Sequence, residues 1–133
     1  MTWGPINLSR PGDNLPPAGI YSASVTDFRL FEKPDVIWCA VDFTLAGTPA
    51  SPRTMLHAIA ATDDSRYASR VAEGLRFLHR LARATSITID SVDYEELPRL
   101  FLGRHLELVV AHSTRDGVPE LVIRSMRPPS PTE

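Results

Sequence analysis

Hydrophobic and polar positions alternate in several stretches of this chain, and one long segment keeps a different period. From Ile20 to Leu30, Tyr21, Ala23 and Val25 alternate with Ser22, Ser24 and Thr26. That period of two belongs to a half-buried strand. Phe28 falls out of phase, so either it lies on the outer face or a bulge near Asp27 turns it inward. Glu32 to Asp35 read as a turn, with Pro34 ending the strand. Val36 to Leu45 carries the clearest alternation. Ile37, Cys39, Val41, Phe43 and Leu45 form a uniformly apolar face, which leaves Val36, Trp38, Ala40, Asp42 and Thr44 on the other. Arg53 to Ala60 predicts a third strand with two admissible phases. In one, Thr54, Leu56 and Ala58 point inward and Arg53 and His57 outward; the other is its mirror. Arg104 to Thr114 predicts a fourth strand with Leu106, Leu108 and Val110 inward. Arg115-Asp116-Gly117 is a hairpin turn signature, and Glu120 to Met126 completes a fifth strand.

The exception is Asp64 to Thr85, where the period is that of a helix. Tyr67, Val71, Leu75, Leu78, Leu81 and Ala82 share one side. Arg66, Arg70, Arg76, Arg80 and Arg83 share the other, with Glu73 the only acid between them. Thr62, Asp63 and Asp64 offer N-cap and first-turn oxygens. Ile87 to Ile89 is short and β-prone. Ser91 to Leu102 predicts one or two helical turns, with Pro98 at a first helical position and Gly103 closing them. Proline and glycine mark off an N-terminal arm, residues 1–17, and a short tail, residues 128–133, around a domain at 18–127.

Bulk properties narrow the function classes. At 133 residues the chain fits one domain. A formal net charge of -2 provides no global attraction to nucleic acid or anionic membrane. Lys33 is the only lysine. Cys39 is the only cysteine, which excludes an intrachain disulfide and a thiolate-rich zinc site. Met1 to Arg10 lacks the basic and apolar regions of a signal peptide, and no apolar run approaches the ~20 residues of a membrane span. Retention in the cytoplasm, away from membranes, is the expectation. His57, His79, His105 and His112 lack metal-ligand spacing, no serine sits in a nucleophile elbow, and no glycine-rich phosphate loop occurs. These readings point to a non-enzymatic protein that requires no cofactor.

Three strands, one helix and two strands is the order of the OB-fold, a small, partly open five-stranded antiparallel barrel that often binds oligonucleotides. The run Leu15-Pro16-Pro17-Ala18-Gly19-Ile20-Tyr21 followed by Thr26-Asp27-Phe28 resembles the opening of a phage-encoded family. Trp38 to Phe43, the helix from Arg70 to Leu81, and Leu100-Phe101-Leu102-Gly103-Arg104-His105-Leu106 resemble it as well, over residues 15–127 in order. Members of that family have been taken to be OB-fold single-stranded-DNA-binding proteins of recombination and replication modules. The resemblance implies stoichiometric coating of single-stranded DNA in a bacterial host cytoplasm, beside recombinase or nuclease proteins. The acidic-tipped, glycine-rich tail of bacterial single-strand-binding proteins has no counterpart in Pro128 to Glu133, so recruitment through such a tip is not expected.

Single strands are held by aromatic faces that stack on bases and by cations that neutralise phosphates. On an OB-fold that surface is the face of strands 2 and 3 with the adjoining loops. Trp38 and Phe28 are then the candidate stackers, and Arg53, His57, Arg29 and Lys33 the candidate polar contacts. The competing reading of Trp38 is burial under the arm or against a partner subunit. The helix arginines are read first as a solvated face. Phosphate contacts, or pairing with Asp90, Asp93, Glu95 and Glu96, are the alternatives. An exposed strand or the arm could also pair two copies into a homo-oligomer. The alternative function is a small β-barrel interaction or structural module of a phage particle.

Overall fold

The computed structural model describes residues 15–62, 65–89 and 92–129. Alternation becomes sheet as expected: β1 (Gly19–Glu32), β2 (Val36–Leu45) and β3 (Leu56–Ala61) precede the helices, and β4 (His105–Arg115) and β5 (Val118–Arg127) follow them. The five antiparallel strands form one curled half-barrel sheet in the order β3-β2-β1-β4-β5. A 3₁₀ turn at Ser65–Tyr67 leads into α1 (Ala68–Thr85), and a second at Tyr94–Glu96 leads into the short α2 (Leu97–Phe101). The fold is thus mostly β, with its main helix between β3 and β4. Ile87 to Ile89 forms no strand.

The inward face of each strand is its apolar set. Cys39, Val41, Phe43 and Leu45 of β2 and Leu106, Leu108 and Val110 of β4 join the core, all nearly inaccessible to solvent. Fully burying a side chain of this size contributes about 1.5–3 kcal/mol. The β1–β2 register slips between Val25 and Asp27, a bulge that moves the inward phase from Ala23 and Val25 to Phe28 and Leu30. Of the two positions admissible for Phe28, the inward one is therefore taken. Phe28 stacks on Phe101 of α2 with centroids 5.7 Å apart. A second bulge, between Val109 and Val110 of β4, leaves Arg124 as the extra residue on β5. Asp116 and Gly117 both have positive φ, as a two-residue hairpin turn requires.

Two expectations for the helix change. The α-helix begins at Ala68, after the 3₁₀ turn, and Tyr67 at its N-cap makes no side-chain cap bond. The expected capping residues Asp63 and Asp64 lie outside the described residues, and Thr62 stands ahead of the 3₁₀ turn rather than at the cap. The buried stripe is Gly74, Leu78, Leu81, Ala82, Ala84 and Thr85. Leu75, expected inside, is 41% exposed. Gly74 takes the contact instead, because α1 lies so close to β3 that a Cβ there would collide with the backbone of Ala58. The Thr85 hydroxyl, buried in that stripe, donates to the Leu81 carbonyl at 2.7 Å. Of the expected arm, residues 15–17 are described. Leu15 packs on the core, His112 Nε2 lies 2.7 Å from the Pro16 carbonyl oxygen, and the Tyr21 hydroxyl donates to the Pro17 carbonyl.

Candidate nucleic-acid interface

The sheet leaves the outer edges of β3 and β5 unpaired, and the space between them forms a recess. At one end the two sides are clipped together. The Arg53 amide donates to the Leu121 carbonyl at 2.8 Å, and its guanidinium meets the Glu120 carboxylate at 2.5 Å. Beyond that clip the strands diverge into a groove of about 840 Å³. Val41 and Phe43 form its floor, Met55 to His57 one wall, Val122 to Met126 the other, and α1 its roof through Glu73, Arg76, Phe77 and Arg80.

Positive charge converges here from separate elements. Arg76 and Arg80 project from one stripe of α1, since positions three and four apart share a helix face. Arg124 comes from the β5 bulge, a device that redirects a side chain. Arg80 and Arg124 make no ion pair among the described residues, and Arg76 donates only to the Ala72 carbonyl of its own helix. Between the arginines lie apolar and aromatic surfaces. Met55 and Leu56 are 52% and 59% exposed. His57 stacks on Phe77 with centroids 3.9 Å apart and planes 9° from parallel. Burial lowers the pKa of His57, because a charged imidazolium is poorly solvated against the Phe77 ring. The ring is a flat, largely neutral platform near pH 7 rather than a cation.

A smaller recess of about 220 Å³ adjoins the groove. It shares Leu56, His57 and Glu73 and adds Trp38, Arg70 and Gly74. Trp38 is half-buried, its ring edge-to-face with Tyr67 at 6.1 Å. The Trp38 surface and the basic helix face, separate in the sequence, thus adjoin across the edge of β3.

Of the remaining candidates, Arg53 and His57 line the groove, and Phe28, Arg29 and Lys33 lie elsewhere. Phe28, in the core, has no ring face to offer. Arg29 is held between Asp42 at 3.2 Å and Asp27 at 3.4 Å on the outer face of β1 and β2, where Thr54 also donates to Asp42. With one arginine between two aspartates, that patch is not basic. Lys33 is exposed in the β1–β2 turn, apart from the groove. Arg53 precedes β3 and serves the clip. His57 takes the inward phase of β3 with Ile59, not the outward one. The alternative pairing of the helix arginines with the following acidic segment does not occur for Arg70, Arg76, Arg80 or Arg83 among the described residues. Arg124 had one visible signal. Leu121 and Ile123 keep odd-numbered inward phase and Met126 an even one, a slip that marks a bulge between them.

Among the described residues, no three His, Cys, Asp or Glu side chains converge as a metal site, and no helix is long and apolar enough to cross a membrane. Compared with known proteins, the sequence matches no family model and no curated protein.

Proposed function

We propose that this protein binds single-stranded nucleic acid, DNA first, in the groove between β3 and β5, and that its half-barrel is an OB-fold. The observation that carries the reading is the convergence of Arg76, Arg80 and Arg124 on a groove that also holds an aromatic pair and exposed apolar side chains. A single strand needs that combination: cations spaced for phosphates, and flat or apolar surface for bases. A duplex needs a convex element to enter its groove, and a recess is the wrong shape for that. The OB-fold assignment is supported by the strand order β3-β2-β1-β4-β5 with the main helix between β3 and β4. Binding is stoichiometric and mainly electrostatic, as coating of exposed strands in phage replication or recombination would require.

The test is fluorescence anisotropy of labelled oligo-dT at several salt concentrations. Affinity should fall as salt rises. Replacing Arg76, Arg80 or Arg124 by Ala should weaken binding and reduce the slope of log K against log salt by about 0.7 for each phosphate that is no longer neutralised. Trp38→Ala should weaken binding with the slope unchanged, since stacking releases no counterion. Absence of binding at low salt would sink the reading. A second reading, an interaction module for an extended peptide, is favoured by Met55 and Leu56 at the groove mouth. It predicts no response to oligo-dT.

A further inference from the structure

Among the described residues, Glu73 is the one carboxylate that lines both recesses. Arg70 and Arg76 stand three residues to either side of it on α1, a spacing at which ion pairs form readily. Even so, Glu73 makes no ion pair or hydrogen bond with any described residue. An unpaired carboxylate in an arginine-lined groove opposes the binding of a polyanion and leaves its acceptor oxygens free.

Its position indicates what those oxygens can meet. Phe77 is one helical turn further on, and its ring backs the His57 platform face to face. A base lying on that surface turns its edge, not its phosphate, toward the neighbouring position on the helix. An ionised carboxylate only accepts hydrogen bonds. Cytosine and adenine present exocyclic amino donors to it. Thymine and uracil present a single N–H flanked by two carbonyl oxygens, which repel a carboxylate.

We propose that Glu73 is a base-discriminating residue: a strand in the groove presents base amino groups to its carboxylate, so cytosine- and adenine-bearing strands bind ahead of thymine- or uracil-bearing ones. This rests on the nucleic-acid reading of the groove and adds a preference to it. The electrostatic term remains common to all sequences.

The test compares oligo-dC with oligo-dT of equal length, by anisotropy at low salt and pH 7.5, on the full chain and on Glu73→Gln. The unaltered protein should favour oligo-dC by about threefold to tenfold, the range of one typical net hydrogen bond in a solvent-exposed site. Glutamine both donates and accepts and carries no charge, so E73Q should tighten binding of oligo-dT and bring the two oligonucleotides level. Because the ratio is taken within one protein, a change in folded fraction cancels. Equal affinities in the unaltered protein would overturn the proposal. So would a common rise for both oligonucleotides in E73Q, which simple repulsion predicts. Salt-dependent binding with no preference removes only the role of Glu73; no salt-dependent binding of either oligonucleotide removes the reading of the groove with it.

Discussion

Gly74→Ala is the substitution for which helix propensity and tertiary packing predict opposite signs. In an exposed helix interior, Ala for Gly stabilises by about 1 kcal/mol. Gly74 has ordinary helical φ, so no backbone strain enters. Its surroundings decide the outcome. A Cβ at this position would fall deep inside the van der Waals contact of the Ala58 carbonyl oxygen, 2.8 Å from the carbonyl carbon and 3.3 Å from the amide nitrogen. These are backbone atoms of β3, held by the ladder to β2, so no side chain can swing aside. The helix itself must retreat, and with it Leu78 and Leu81, which are 4% and 0% exposed. Overpacking of this kind costs about 1–3 kcal/mol, occasionally more. Because the clash is with fixed backbone, the upper end of that range applies, and set against the propensity gain a net loss of about 2 kcal/mol is expected. Urea denaturation followed by circular dichroism measures it as a lowered midpoint at unchanged slope. The same retreat widens the groove that α1 roofs, so oligo-dT affinity should fall in the folded variant too. A midpoint equal to or above that of the unaltered protein would refute the close approach of α1 to β3.

Two further predictions follow from buried titratable groups. Burial pushes the Cys39 thiol up to about 12, so at pH 8 almost no thiolate exists. A disulfide reagent should therefore label nothing in the native protein and one thiol in denaturant, and rapid native labelling would contradict the core position of Cys39. His57, with its pKa lowered from 6.5 by burial, prefers to be neutral in the folded state. On acidification the unfolded chain takes up the proton first, so stability is full above pH 6.5 and declines as pH falls from there toward the folded-state value. His57→Phe preserves a ring against Phe77 but cannot titrate. The difference between its urea midpoints at pH 7.5 and 5.5 should be smaller than that of the unaltered protein; an equal difference would show that His57 is not the group responsible.

Local periodicity alone determined the elements and most of their faces. A strand shows its core side every second residue, so Cys39, Val41, Phe43 and Leu45, and Leu106, Leu108 and Val110, were legible as core from the residue pattern. The basic stripe of α1 was legible for the same reason at a period of 3.6. Where two phases fitted, as at Phe28 and His57, pattern could not choose. A bulge settled the first, and packing against α1 settled the second. The candidate site was the least legible part. Periodicity reports which side of an element faces inward but not which element lies opposite. The unpaired edges of β3 and β5 follow from the strand order, and the meeting of Arg76 and Arg80 with Arg124 follows from α1 spanning that gap beside a bulge in β5. The position of Gly74 follows in the same way from the distance between two backbones, which no pattern of hydrophobic and polar residues encodes.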